Sequence, residues 1–212
     1  NSLAQTLLKL TVPGVPDFYQ GTELWDLALV DPDNRRPVDF PRRQALLEAL
    51  RARIAADAAA GADATSLCAE LLAHWPDGRV KLYLTHRALT LRRERAPLFA
   101  VGGYRALGAD GPGADHLLAL ARADGTDAVV AAVPRLTVRQ GGLTGRILLG
   151  APAWEHTAVV LAEDLAGVYR DRFTGLTVPS ERRDGLVVLP AGALFAHFPV
   201  ALLERVAPPA AR

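Results

Sequence analysis

Methionine is missing altogether from the 212 residues, and cysteine occurs once, at Cys68. Without a methionine the sequence has no initiator of its own, and it opens in mid-pattern on Asn1-Ser2, so it is expected to be part of a longer chain. A single cysteine excludes an internal disulfide framework and fits a reducing, cytoplasmic setting. Flanked by Ser66, Leu67, Leu71 and Leu72, it reads as a small core residue. No apolar run is long enough to span a bilayer, and no secretory signal pattern opens the chain. An excess of charge of one sign is missing too. The 24 basic and 23 acidic residues leave a net charge of +1 and no stripe that could track phosphates, which argues against a nucleic-acid partner.

Motifs of several enzyme classes are also absent. No Gly-x-Ser-x-Gly elbow occurs, and His116, His156 and His197 have no serine or cysteine nucleophile at a suitable spacing. His74 and His86 lie in helical patterns with no second ligand nearby, so both read as structural and no metal site is expected. Gly141, Gly142 and Gly145 are not followed by Lys-Ser or Lys-Thr and read as a turn, which leaves no cofactor expected.

What is present is concentrated between Pro13 and Phe40, in PGVPDFYQGTELWDLALVDPDNRRPVDF. Pro13 and Pro16 lack amide donors and restrict the residues before them, so Val15 to Tyr19 reads as a short extended strand that Gly21 ends. From Thr22 onward the segment has no helical period and gathers Glu23, Trp25, Asp26, Asp31, Asp33, Asn34, Arg35, Arg36 and Asp39. Aromatic faces, carboxylates and guanidinium forks are what holds a sugar, whose ring is apolar on its faces and rimmed with hydroxyls. The same residues also describe a self-contained turn network, with Asp31 and Asp33 capping backbone amides and pairing with Arg35 or Arg36. Residue types alone leave both readings open.

This run resembles the eighth barrel strand and following loop of the α-amylase family, in its maltooligosyltrehalose synthase branch. The family's Tyr-x-Gly-x-Glu strand end recurs as Tyr19, Gly21 and Glu23, with Gln20 where many amylases carry a second tyrosine. The Asp-Pro-Asp-x-Arg-Arg-Pro segment resembles a loop in which an aspartate and an arginine four residues later grip a glucose, here Asp31 and Arg35. The opening NSLAQTLLKLT and the closing LFAHFPVALL share the likeness. The resemblance implies an isomerase of trehalose biosynthesis that moves the reducing-end glucose of a maltodextrin from an α-1,4 to an α,α-1,1 linkage by a retaining route. It implies substrate contacts at Asp31 and Arg35, then at Asp33, Arg36, Tyr19 and Glu23. The family's catalytic carboxylates lie on earlier strands, so no catalytic residue is assigned here.

The rest of the chain follows a change of period. Leu3, Leu7, Leu8 and Leu10 mark a helix that Asn1 or Ser2 would cap and Pro13-Gly14 would stop. Pro41 suits a first helical position, with Leu46, Leu47, Leu50 and Ile54 at helical spacing up to Gly61, and Arg42, Arg43, Arg51 and Arg53 as a solvated face. Ser66 would cap a short helix carrying Leu67, Leu71, Leu72 and Trp75. Val80, Leu84, Ala88 and Leu91 then mark a helix that Pro97 closes.

Beyond Pro97 come short extended runs, expected at Leu98 to Val101, Tyr104 to Leu107, His116 to Arg122, Ala128 to Val133, Arg146 to Leu149, Thr157 to Leu161, Tyr169 to Phe173, Leu176 to Val178 and Leu186 to Leu189. Asp124-Gly125, with a longer loop, and Thr174-Gly175 mark hairpins. Leu194 to Arg205 is expected to seal the sandwich or its contact with the barrel, and Pro208 onward to fray.

The expectation is thus an α+β chain. By the resemblance, residues 1–97 would be the helical C-terminal part of a (β/α)8 catalytic barrel, including its eighth strand and a helical insertion, and residues 98–212 an antiparallel β-sandwich domain. The chain alone is expected to be inactive and to bind maltooligosaccharide weakly or not at all, and either to self-associate through surfaces left by a missing N-terminal portion or to derive from truncation of a longer product. A hydrolytic α-amylase relative and a non-catalytic glucan-binding module are the rival readings.

Overall fold

The structure is a computed structural model and describes residues 1–141 and 147–207. Helix α1 (Ser2–Thr11) presents Leu7 and Leu10 to the core and stops at extended Val12, ahead of Pro13. Asn1 occupies the cap position without a side-chain bond, so the expected cap is not made. Helix α2 (Phe40–Ala59) is capped instead by Asp39, whose carboxylate accepts the Arg42 amide at 2.9 Å, with Pro41 in the first turn. Helix α3 (Thr65–Ala73) starts one residue before Ser66. Asp63, rather than Ser66, accepts the Thr65 amide there, and the Ser66 hydroxyl accepts from Arg53.

Helix α4 (Arg79–Glu94) is the central helix and buries Val80, Leu82, Tyr83, Leu84, Ala88 and Leu91. The short helix α5 (Ala96–Val101) replaces the strand expected at Leu98 to Val101. Pro97 opens this turn rather than closing the previous one, since its fixed φ suits a helical start. Arg122 then satisfies the last carbonyls, donating from Nη2 to Leu98, Phe99 and Gly102 at 3.3, 3.1 and 2.8 Å.

The remaining chain builds two antiparallel sheets. One orders β1 (Gly103–Leu107), β3 (Leu117–Asp124), β4 (Asp127–Pro134), β10 (Ala201–Ala207), β6 (Val168–Asp171) and β7 (Thr177–Pro179) as β1-β3-β4-β10-β6-β7. The other orders β2 (Ala109–Asp110), β5 (Ala158–Leu161), β9 (Leu186–Pro190) and β8 (Glu181–Arg183) as β2-β5-β9-β8. Short helices α6 (Thr137–Gly141), α7 (Gly150–Trp154) and α8 (Ala191–Leu194) join them.

Strand alternation assigns the two faces of the larger sheet to different cores. Ala119, Ala121, Val130, Ala132, Ala201, Leu203 and Tyr169 face Val159, Leu161, Val187 and Leu189 of the smaller sheet. Leu120, Val129, Ala131, Val133 and Leu202 point the other way, into one cluster with Leu7, Leu10, Leu71, Tyr83 and Leu91 of the helices. Because both faces are covered, β3 and β4 read as near-continuous apolar runs. The helical core therefore continues across residue 97, and no gap divides the two parts.

Several expectations change in detail. Val15 to Tyr19 forms no strand and joins neither sheet: Pro13 and Pro16 offer no amide, and no strand of the described residues lies alongside. The Asp124-Gly125 hairpin is tighter than expected, with Asp124 paired to Asp127 across a two-residue loop and Gly125 at φ +54°. A third hairpin at Asp184-Gly185, both residues at positive φ, was not expected, nor was β10 as a central strand. Ile147 to Leu149 forms no strand. Arg146, Gly142, Gly145 and everything from Pro208 lie outside the described residues.

Candidate functional site

The loop from Gly21 to Asp39 is fixed at its base and open at its tip. At the base, Leu24 is buried and its carbonyl accepts from Lys81 Nζ at 3.2 Å, while the Trp25 indole N–H donates to the Trp75 carbonyl at 2.6 Å. Gly78, at φ +83°, lets the loop approach: a Cβ there would stand 3.1 Å from Leu24 Cβ and 3.2 Å from the Trp25 amide. Lys81 is only 9% exposed, and burial holds its ammonium below the usual lysine range, with Lys9 adding to the effect and Asp26 and Glu23 opposing it. On the other flank, Arg43 of α2 donates to Glu23 at 3.0 Å and to the Gly21 carbonyl at 2.8 Å.

From Asp26 the chain turns outward. Leu27, Leu29 and Val30 are exposed, and the Asp31–Pro32 peptide bond is cis. A single 3-10 turn, Asp33–Arg35, aligns the charged residues in two pairs. Arg35 donates Nε and Nη2 to the two Asp31 oxygens at 2.5 and 2.7 Å, a bidentate fork, and Arg36 pairs with Asp33. Both pairs are solvent-facing; the Arg35 and Asp31 side chains are 69% and 55% exposed.

The sequence-predicted residues thus fall into three places. Asp31 and Arg35 are joined, Asp33 and Arg36 are joined beside them, and Glu23 sits apart at the loop base with Arg43. Tyr19 is half-exposed, and its carbonyl, not its ring, makes the local contacts, accepting the Thr22 amide and hydroxyl at 3.1 and 2.7 Å. Sequence reasoning placed Arg43 on a solvated face and passed over Lys81. Each reaches its partners at the loop base over twenty or more positions, a contact that helical spacing does not register. Trp75, expected with the α3 core leucines, is 54% exposed instead.

Away from this loop, a concavity of about 750 Å³ lies at one end of the larger sheet, lined by Arg95, Arg170, Arg172, Glu94, Glu204 and Arg205 among others. Its charges largely satisfy one another. Buried Glu204 accepts from Arg95 and Arg172 at 2.6 and 2.9 Å, and Arg172 also reaches Glu94 at 2.5 Å, which ties α4 to β10. Among the described residues no group of three His, Cys, Asp or Glu side chains gathers to hold a metal ion, and no helix is long and apolar enough to cross a membrane.

No family model matches the chain. Sequence and fold comparison instead find similarity to proteins named as maltooligosyltrehalose synthases, of which the chain spans about a fifth of the length. More narrowly, the chain is homologous to a C-terminal portion of maltooligosyltrehalose synthase. Over 205 residues, 97% of its length, it is 38% identical to the "Putative maltooligosyl trehalose synthase" of Mycobacterium tuberculosis, and it spans 20% of that protein. The maltooligosyltrehalose synthase structure from Arthrobacter ramosus superposes with a TM-score of 0.68 at 34% identity, over 96% of this chain and 22% of that one. A further maltooligosyl trehalose synthase structure gives a TM-score of 0.59 at 25% identity, over 96% and 21%.

Proposed function

We propose that the chain forms the C-terminal part of a maltooligosyltrehalose synthase, an intramolecular transglucosylase that turns the reducing-end α-1,4 linkage of a maltodextrin into an α,α-1,1 linkage. The observation that carries the reading is 38% identity sustained over 97% of the chain. In this reading residues 1–97 are the closing part of a (β/α)8 barrel and residues 98–212 a sandwich domain packed beneath it. The bond-breaking carboxylates belong to the portion of the relatives that this chain does not span, so the chain by itself is inactive. Exposed Val15, Leu27, Leu29 and Val30 form the surface on which that portion, or a second copy of the chain, would seat.

A retaining transfer that reuses the released glucose must hold it until the second bond forms, against attack by water. Asp31 and Arg35 supply that grip, with Asp33 and Arg36 beside them and Tyr19 and Glu23 as further contacts. The bidentate pairing of Asp31 with Arg35 on an outward-facing loop supports this assignment.

Asp31→Ala in an enzyme carrying this chain tests the grip. The pair is exposed, so folding stability should change by no more than about 1 kcal/mol. KM for maltopentaose should rise, or free glucose should increase relative to non-reducing product. Kinetics and product ratio both unchanged would remove Asp31 from the site. The isolated chain should yield no non-reducing product from maltopentaose; finding such product would overturn the reading.

A further inference from the structure

We propose that Arg43 closes the neck of the Gly21–Asp39 loop and is thereby a positioning residue for the group held at the loop tip. What the tip holds rests on the function proposed above; the closure itself rests on three contacts of one guanidinium.

Arg43 lies in the first turn of α2, where the helix dipole disfavours a cation and no acidic residue offsets it. Its side chain folds back onto the loop and is only 18% exposed. Nη2 donates to the Gly21 carbonyl at 2.8 Å, Nη1 to the Asp39 carbonyl at 3.1 Å, and Nε to Glu23 at 3.0 Å. The two carbonyls are the two ends of the loop, so a single planar group spans its neck. The Asp39 carbonyl has capacity for this bond, since it carries two lone pairs and its helical bond from the Arg43 amide is long, at 3.4 Å. The two legs also touch here. Gly21 sits at φ +92°, and a Cβ on it would stand 3.3 Å from Val38 Cγ2.

The legs are otherwise tied unequally. Leu24 and Trp25 bind the incoming leg to Lys81 and Trp75, whereas Arg43 joins the outgoing leg to the incoming one. Between them, the side-chain bonds of the tip are local: Asp26 to the Ala28 amide, Asp31 to Arg35, and Asp33 to Arg36. The tip is thus a small folded piece aimed by its neck. A lysine at position 43 would keep the charge but lose the fork, and would reach one leg at a time. Misplacing a bound group by about 1 Å costs up to about a hundredfold in rate, so a loosened neck favours release of the held glucose over its reuse.

The test uses an enzyme carrying this chain, with Arg43→Lys and Arg43→Met compared with Arg42→Met, which removes a charge from the same turn at an exposed site. Hydrogen exchange in the peptide spanning residues 22–38 reads the neck, and the ratio of free glucose to non-reducing product from maltopentaose reads the grip. Both Arg43 variants should speed that exchange and raise that ratio by about tenfold, the scale of one lost bond to a charged group, while Arg42→Met changes neither. Arg43→Lys keeps the charge and the stem, so it decides the outcome if Arg43→Met does not fold. Unchanged exchange would show that the neck closes without Arg43 and would overturn the proposal. Faster exchange with an unchanged product ratio would overturn it as well, and Asp31→Ala then separates the two readings: a ratio altered in that variant leaves the grip standing, and an unaltered one removes both.

Discussion

Replacing Asp171 with asparagine should change the way stability depends on pH. Asp171 ends β6 and is 3% exposed; its carboxylate accepts the Phe173 amide at 3.1 Å and the Thr174 hydroxyl at 2.8 Å, which shapes the hairpin to β7. Burial pushes its carboxyl up from the ordinary 3.8 to about 6, with those hydrogen bonds pulling the other way. The folded chain therefore keeps the proton up to about pH 6, while the unfolded chain releases it near pH 3.8. Between those values the folded state binds more protons, so stability falls as pH rises. The contribution is fully present below the lower value and lost above the higher one. The gap is worth about 3 kcal/mol at about 1.4 kcal/mol per pH unit.

Asparagine carries no proton to release, so the variant lacks this fall. Its amide must meet a Thr174 hydroxyl that already accepts the Leu176 amide at 3.2 Å, which adds a displacement independent of pH. Urea unfolding of both proteins from about pH 4 to about pH 8 separates the two effects, because other titrating groups cancel in the difference. The variant should gain about 2.5 kcal/mol on the parent between the two ends of that range, since part of the roughly 3 kcal/mol is already lost at about pH 4. Parallel profiles would refute the reasoning and show that the buried carboxyl titrates where an exposed one does.

Three further outcomes follow from packing and geometry. Gly78→Ala should cost about 1–2 kcal/mol, because the residue sits at φ +83° and its Cβ would press on Leu24 and Trp25; an unchanged urea midpoint would contradict the close approach. The Cys68 thiol is fully buried and pushed up to about 12, chiefly by burial, so it should resist thiol reagents at neutral pH until the chain unfolds. Modification of the folded chain at the rate of free cysteine would show that the site opens. Arg35→Lys should leave stability within about 1 kcal/mol yet weaken maltopentaose use in an enzyme carrying this chain, since an ammonium cannot reproduce the two-point fork on Asp31. Equal kinetics for lysine and arginine would show that charge alone suffices.

How far the sequence foretold this arrangement depended on the range of the contacts. The leucines of α1 and α4 and the strand pair β3–β4 were legible because each is a local period that burial enforces. Leu98 to Val101 was misread because four apolar residues carry no period. What decides their form is Arg122, twenty or more positions away, reaching back to cap them as a helix. Strand β10 was hidden for a similar reason. It lies between two earlier strands and is buried on both sides, so its apolar residues do not alternate with polar ones until Glu204. At the loop, the charged tip could be read from its own residues, while the clamp beneath it, made by Arg43, Lys81 and Gly78, could not.

That division between tip and clamp bears on how the proposed grip would work. An ionised carboxylate offers about four lone-pair positions, and the Arg35 fork occupies one on each Asp31 oxygen. Two remain free and directed to solvent, so Asp31 need not break its ion pair to accept sugar hydroxyls. The self-contained turn network and the sugar-binding loop, which the sequence presents as alternatives, are then the same structure. Arginine orients the acceptor before substrate arrives, and the exposed pair adds little to folding. Its value lies in the geometry it holds, and that geometry depends on the buried contacts at Leu24 and Trp25 that anchor the loop.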